Sequence, residues 1–371
     1  MKIVSTSYVN TTEYNDPVKW LERISFYTGL LEELAKHYTV ESIEQINYNG
    51  KMLKNKVTYH FLSFKKKKLY FPFELHRYIK NLKPDIVFVN GFIFPLQVIQ
   101  LRKTLGKAAK IIVLHRAEKP FSGIKGYLQT IADKSVDAYL FVSDEFSVEW
   151  IKKGIFKNKK KIHEVMQSSS IFFQDDKIAA RKILNISGEP AFLWVGRLEK
   201  NKDPLTVIKA FIKYLSFQPR AKLYMIYQDD QLLTDMKTLI DANNKTKDGI
   251  ILIGKVEHRQ LQTWYNAADF FISGSHYEGS GIAPCEAMSC GCIPILTDII
   301  SFRKISGAGK CGFLYKPGNA DDLLSKLLKI KEIDLETEKE KTVELFNKEL
   351  SFAAIAKKIT KILNSLYSDN A

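Results

Sequence analysis

The sequence predicts an α/β protein of two domains, each a parallel sheet with helices on both faces. Three observations carry this. Short, continuously apolar runs alternate with longer amphipathic stretches, the pattern of doubly buried strands and the helices that cover them. The alternation is interrupted across Gly154–Pro190, a mixed stretch with a basic run, a serine cluster and one short helix, and then starts afresh. A length of 371 residues exceeds one ordinary core and suits two.

In the first half the strand runs are Lys2–Thr6, Val57–Phe64, Asp85–Asn90, Ala109–His115 and Ala138–Ser143, with an amphipathic helix over Trp20–His37. In the second they are Ala191–Gly196, Ala221–Tyr227, Ile250–Gly254, Phe270–Gly274 and Cys292–Thr297, with helices over Lys177–Leu184 and Leu205–Leu215. The expected domains are residues 1–170 and 171–350. Residues 351–371 form a terminal helix, with Ile355, Ile359, Ile362 and Leu366 spaced for one face and expected to pack back on the first domain.

Composition narrows the class. Hydrophobic residues make up 45% and charged residues 26%, which suits a globular chain rather than a disordered one. No stretch approaches the ~20 apolar residues of a membrane span. The start, MKIVSTSYVN, reads as a first buried strand rather than a signal peptide, so the expected location is the cytoplasm. Cys285, Cys290, Cys292 and Cys311 follow no familiar zinc spacing and are expected as reduced, buried thiols.

The net charge is +15, and residues 1–170 carry 28 Lys+Arg against 16 Asp+Glu. Local runs are Lys65–Lys68 and Lys157 with Lys159–Lys161. This basic half suits an anionic acceptor or the anionic inner face of a membrane. No nucleic-acid-binding motif accompanies the charge, so nucleic acid is not expected as a partner.

Open α/β sheets bind ligands beyond the carboxyl ends of their strands. Two such places stand out. After the run ending at Gly196 come Arg197 and, five residues on, Lys202, before a helix that Asp203 and Pro204 are suited to start. A guanidinium and an ammonium aimed at one spot suit a diphosphate. Ordinary surface charges paired with Glu199 are the plainer reading. After the run ending at Gly274 comes Ser275-His276-Tyr277-Glu278-Gly279-Ser280-Gly281-Ile282-Ala283-Pro284-Cys285-Glu286. Here glycines let the backbone approach a ligand, the helix start near Ile282–Ala283 offers free amides to phosphate, and two carboxylates suit sugar hydroxyls. The plainer reading of Glu286 is a charge that complements the helix terminus.

These segments, with the Gly254-Lys255-Val256 turn and Glu286-Ala287-Met288-x-Cys290-Gly291, resemble the GT4-type retaining glycosyltransferases. The resemblance runs from about Phe192 to Pro317. It implies the GT-B fold, two Rossmann-like domains facing across a deep cleft. It also implies transfer of a hexosyl unit from a UDP- or GDP-sugar to a glycan, glycolipid or other acceptor, without a metal or other cofactor. An epimerase of the same fold and a non-catalytic nucleotide-sugar-binding protein are the alternatives.

The roles implied follow by position. Arg197 and Lys202 would neutralise the diphosphate, Glu278 would hold the transferred sugar and Glu286 the ribose. Gly196, Gly279, Ser280, Gly281, Ile282 and Ala283 would line the donor, Lys255 and Val256 would lie beside the base, and His115 would approach the sugar from the first domain. The sequence departs from the pattern at Asn15–Glu22, where relatives carry a Gly-Gly turn. It departs again at Tyr227–Gln231, whose Asp229-Asp230 pair sits in the wrong place for a metal motif.

Overall fold

The computed structural model describes residues 1–9, 11–64, 68, 70–243 and 247–368. Of the Lys65–Lys68 run, residues 65–67 lie outside the described residues. The chain divides into two compact units, Met1–Ser169 with Phe352–Ala371, and Ser170–Ser351.

In unit 1 the strands are β1 (Lys2–Ser7), β2 (Thr39–Glu44), β3 (Gly50–Lys54), β4 (Val57–Phe61), β5 (Ile86–Asn90), β6 (Lys110–Leu114), β7 (Ala138–Phe141) and β8 (Ile162–Glu164). They form one sheet in the order β3-β4-β2-β1-β5-β6-β7-β8, parallel except for β3. The helices are α1 (Pro17–Arg23), α2 (Ser25–Leu34), α3 (Phe73–Asn81), α4 (Pro95–Leu105), α5 (Gly123–Asp133) and α6 (Val148–Lys152). Leu75, Ile79, Val98, Leu101 and Ala132 bring α3, α4 and α5 against Val87, Val89, Ile111 and Val113 on one sheet face. All of these side chains are fully buried, and burial of a large apolar side chain contributes about 1.5–3 kcal/mol.

The helix expected over Trp20–His37 is two helices. Asp16 caps the first, accepting from Val18 N at 2.9 Å and Lys19 N at 3.2 Å, with Pro17 at its first position. Ile24, at φ −98° and ψ 19°, leaves the helical basin and separates α1 from α2. Three strands carry no apolar run and escape the sequence pattern. In β2 the polar positions are satisfied inside the sheet: Glu41 meets Lys2 at 2.9 Å and His60 at 2.5 Å, and Ser42 donates to Glu44 at 2.6 Å. The β3 strand is an exposed edge joined to β4 by Asn55 and Lys56, both at positive φ, the turn geometry that suits a two-residue hairpin. The third is the three-residue β8.

Unit 2 has β9 (Ala191–Gly196), β10 (Lys222–Tyr227), β11 (Ile250–Gly254), β12 (Phe270–Ser273), β13 (Ile293–Thr297) and β14 (Phe313–Tyr315). The sheet runs β11-β10-β9-β12-β13-β14, all parallel. Its helices are α7 (Lys177–Leu184), α8 (Pro204–Leu215), α9 (Leu233–Asp241), α10 (Leu261–Ala267), α11 (Ile282–Ser289), α12 (Ile300–Ile305), α13 (Ala320–Lys329) and α14 (Leu335–Leu345). Phe192, Trp194, Phe211, Leu223, Met225 and Phe270 are fully or almost fully buried at its centre. Strand order reverses between β9 and β12, so the crevice beyond their carboxyl ends is where a ligand of such a sheet binds.

The last helix, α15 (Phe352–Ser368), packs on α2 in unit 1. It buries Phe352, Ile355, Ile359 and Leu363, while Ile362 and Leu366 are only half-buried. The buried stripe therefore begins three residues before Ile355 and bends away from the face the spacing suggested. Among the described residues no helix is long and apolar enough to cross a membrane.

Candidate functional site

The switch-point crevice of unit 2 is built from two loops. The first leaves β9 at Gly196 and runs to Asp203, the N-cap of α8. Asp203 holds a left-handed φ of 42° and accepts from Thr206 N at 3.1 Å. Its other oxygen lies 3.0 Å from His276 Nε2. The second loop leaves β12 at Ser273 and reaches Gly281, the N-cap of α11 at φ 58°. Backbone bonds join the loops: His276 N donates to Asn201 O at 2.8 Å, and Asn201 Nδ2 donates to Tyr277 O at 3.0 Å. At Gly274 a Cβ would stand 2.7 Å from Asp203 O and 3.0 Å from Lys202 O, so only glycine admits this approach.

At the junction Lys202 Nζ forms a close ion pair with Glu278 Oε1, and Ser275 Oγ donates to the same oxygen at 2.8 Å. Thr297 and Tyr315 fix the loop base, donating to Ser275 O at 2.5 Å and Ser273 O at 2.9 Å. Arg197 is different. Its side chain is 65% exposed and its ion-pair partner is Glu199, at 3.7 Å. The backbone beside it is held, because Leu198 N donates to Asp229 Oδ1 at 2.8 Å. Asp229 thus anchors the arginine loop, a use that nothing in its own neighbourhood of the sequence signals.

Glu286 sits on α11 with its carboxylate almost wholly buried. It lies 2.6 Å from His258 Nε2 and accepts from Tyr265 OH at 3.1 Å. The hydrogen bond to Glu286 raises the His258 pKa, against a smaller opposing effect of burial. Burial, with the Glu286 charge behind it, drives the Tyr265 phenol far up, so it stays a donor. His258 lies just past Gly254, Lys255 and Val256, so this turn and Glu286 meet at one place. Sequence reasoning missed His258 and Tyr265. A histidine shortly after the strand-end Gly254 was the available signal. Gly279, Ser280, Ile282 and Ala283 are part-buried around the start of α11.

The four cysteines are buried and form no disulfide. Burial pushes the Cys285, Cys290 and Cys311 thiols up to about 12. Among the described residues no three His, Cys, Asp or Glu side chains are grouped to hold a metal ion.

In unit 1, His115 directly follows β6 and is completely buried. Its ring stacks on Phe141 at 4.0 Å and meets Trp150 edge-on at 4.9 Å. Burial lowers its pKa to about 3, which leaves it a neutral imidazole. Neither ring nitrogen has a hydrogen-bond partner: Nδ1 lies 3.3 Å from Glu118 Oε2 without the angle of a bond. The expectation that this ring reaches toward a sugar meets a packed side chain instead. The next residue, Arg116, brings a guanidinium to this sheet end. Its guanidinium donates to Asn90 Oδ1 at 2.5 Å and lies 5.0 Å over the Tyr27 ring. Asn90 in turn bonds Ser5 and Tyr27, so the ends of β1, β5 and β6 share one polar network.

Residues 176–348, nearly the whole of unit 2, match the family model of the glycosyl transferases group 1. The match covers just under half of the chain and takes in both loops of the crevice. The GDP-mannose:cellobiosyl-diphosphopolyprenol alpha-mannosyltransferase of Xanthomonas oryzae pv. oryzae is 31% identical over 123 residues, 33% of this chain and 32% of that protein. The alpha-monoglucosyldiacylglycerol synthase of Streptococcus pneumoniae is 31% identical over 104 residues, 28% of this chain and 23% of that protein. The matched segments thus span a third or less of these relatives' lengths. Two solved structures extend the likeness to the whole chain. A glycosyltransferase from Rickettsia africae superposes with a TM-score of 0.75 at 18% identity, covering 99% of this chain and 98% of that one. Anabaena Alr3699/HepE in complex with UDP superposes with a TM-score of 0.74 at 14% identity, covering 98% and 100%. The fold is GT-B.

Proposed function

We propose that this chain is a retaining glycosyltransferase that moves a hexosyl unit from a UDP- or GDP-sugar to a glycan or lipid-linked acceptor, in the synthesis of a cell-surface polysaccharide or glycoconjugate. The observation that carries the reading is the Lys202–Glu278 pair at the switch point of a domain matched by the group 1 model, with the mostly exposed Arg197 on the same loop. Relatives named for transfer to diphosphopolyprenol and diacylglycerol acceptors favour this over the epimerase alternative.

Bond breaking develops positive charge on the anomeric carbon and negative charge on the departing phosphate. Preorganised cations and amides aimed at that phosphate are the largest lever an enzyme has. Arg197, Lys202 and the amides of Gly281, Ile282 and Ala283 supply it. Lys202 and Glu278 neutralise each other across the junction. An arriving donor would exchange both partners, phosphate for Lys202 and sugar hydroxyls for Glu278, so neither charge is left bare. The acceptor oxygen then bonds the anomeric carbon on the face the phosphate leaves. The C–O electron pair departs with the phosphate oxygen, which takes the acceptor's proton, and configuration is retained. Glu286 and His258 would face the ribose, and Lys255 and Val256 the base. With protein cations balancing the phosphate, the reading requires no metal. The basic unit 1 suits an acceptor at the cytoplasmic face of an anionic membrane.

A thermal-shift panel of nucleoside diphosphates tests the reading. A ligand at 100 times its Kd stabilises the native state by about 2.7 kcal/mol. At about 2–4 °C per kcal/mol for a unit of this size, UDP or GDP should raise Tm by about 5–11 °C. Slow hydrolysis of the matching nucleotide sugar, without acceptor, should accompany it. No shift with any nucleoside diphosphate would remove the proposal.

A further inference from the structure

We infer that unit 2 carries a second binding site, a groove at the amino end of its sheet that takes an organic anion with a compact apolar body. The groove lies away from the donor crevice, and its case does not depend on the proposed function.

Topology places the groove. Glu189 and Pro190 precede β9, Arg220 precedes β10 and Asp269 precedes β12, and all four residues line it. In a parallel sheet this is the end opposite to Gly196 and Ser273, from which the crevice loops leave. The last turn of α8 and the end of α13, with the chain that follows each, supply the sides. The groove holds about 640 Å³. That is inside the range of about 300–1,000 Å³ common to small-molecule sites.

The lining combines two chemistries. Its apolar part includes Tyr214, Phe217, Leu327, Ile330 and Ile333. Tyr214, Leu327 and Ile330 are buried and make a fixed wall, whereas Phe217 is 65% exposed and leaves ring area for a ligand to cover. Its charged part is four cations, Lys177, Arg181, Arg220 and Lys331, against two carboxylates, Glu189 and Asp269. Arg220 and Glu189 pair at 2.5 Å, both well exposed. Lys177 and Arg181 share the single carboxylate of Asp269, which also accepts from the Ala191 amide. Among the described residues Lys331 has no ion-pair partner. The lining is therefore positive overall. Unit 2 as a whole has 25 Lys+Arg against 24 Asp+Glu, so this excess belongs to the groove and not to the unit. Burial lowers the Lys177 pKa; Asp269 opposes that, and the Lys339 and Arg181 charges add to it, so a second anion would relieve the crowding of cations.

These features select the ligand together. An inorganic anion would leave the apolar wall uncovered. A neutral apolar molecule would leave the positive charge unmatched. An anion on an apolar body answers both, as sites lined by apolar groups with a few placed charges do.

Calorimetric titration of the full chain with 1-naphthyl phosphate tests the inference. Binding should saturate at one site, and 1-naphthol and inorganic phosphate should each bind about tenfold more weakly or worse. Lys331→Glu reverses the unpaired charge, and Phe217→Ser removes the exposed ring. Each should weaken binding about tenfold or more. Both should keep the wild-type melting temperature and donor hydrolysis, because both side chains are exposed. Lys202→Ala, which alters the crevice, should bind the probe like wild type. Absence of saturable binding would overturn the inference, as would equal affinity for either half of the probe. Wild-type affinity in Lys331→Glu or in Phe217→Ser would also overturn it. Binding that Lys202→Ala abolishes would place the probe in the crevice, with the same result. The titration contains no nucleotide sugar, so a chain that fails to hydrolyse the donor loses the proposed function and not this site.

Discussion

Replacing Lys202 with alanine separates the use of the Lys202–Glu278 pair in catalysis from its use in stability. The side chains are 23% and 17% exposed, so the pair is partly solvated and its net contribution to folding is about 1 kcal/mol. For a unit the size of Ser170–Ser351 that corresponds to a Tm lower by about 2–4 °C. The catalytic effect should be much larger. Loss of one preorganised donor to a developing oxyanion costs about 2.7–4 kcal/mol, a factor of about 10²–10³ in turnover. Arg197→Ala should give a similar loss of rate with almost no change in Tm, because its side chain is mostly exposed and its nearest carboxylate is 3.7 Å away. The assay is the initial rate of nucleotide-sugar hydrolysis at saturating donor, with a melting curve on each sample. If both variants turn over at the wild-type rate, the phosphate-neutralising assignment is wrong. If the rate falls only in step with unfolding, the pair is structural.

Three further outcomes follow from the same geometry. Gly274→Ala should push on the Lys202 and Asp203 carbonyls and lower donor hydrolysis about 10–100-fold, the scale of an ångström-level misplacement; a wild-type rate would show that this approach is not tight. Asp269, almost fully buried, receives Lys177, Arg181 at 2.7 Å and the Ala191 amide at 2.8 Å, so Asp269→Ala should cost about 3–5 kcal/mol and lower Tm by about 6–20 °C, and a shift below about 2 °C would refute the anchoring role. The hydrogen bond to Glu286 holds the folded His258 pKa above its unfolded value near 6.5. The pair's stabilisation is therefore fully present below that pH and lost as pH rises through the folded pKa. Wild-type Tm should fall more across this window than that of His258→Gln, and parallel pH profiles would exclude the linkage.

How far the site was legible depends on whether its parts are local. The Arg197–Lys202 loop and the Glu278–Glu286 loop each follow a buried apolar strand within a few residues, so both could be read from the linear chain. The partners of those groups were not legible. Asp229 reaches Leu198 across 31 residues, and His258 reaches Glu286 across 28. Nothing in local periodicity marks such pairs, because strand order alone makes them neighbours. Three strands were missed for a related reason. In β2 the polar groups find partners in adjacent strands, and β3 is a solvent-facing edge with no apolar run to report it. The Trp20–His37 helix was read too long because one residue, Ile24, changes conformation without changing the hydrophobic pattern.

His115 marks the boundary between the two kinds of knowledge. By itself the sequence determined that a histidine closes an apolar strand, that charge concentrates in the first half, and that glycines and carboxylates follow the strands of the second. Those features depend only on residue order, since burial period and turn chemistry act over a few residues. The tertiary structure decided which groups share a partner: that Phe141 and Trp150 enclose His115, and that Lys202 holds Glu278. Side-chain burial and ion pairing are set by what packs across strands far apart in sequence, and only the folded chain brings those strands together.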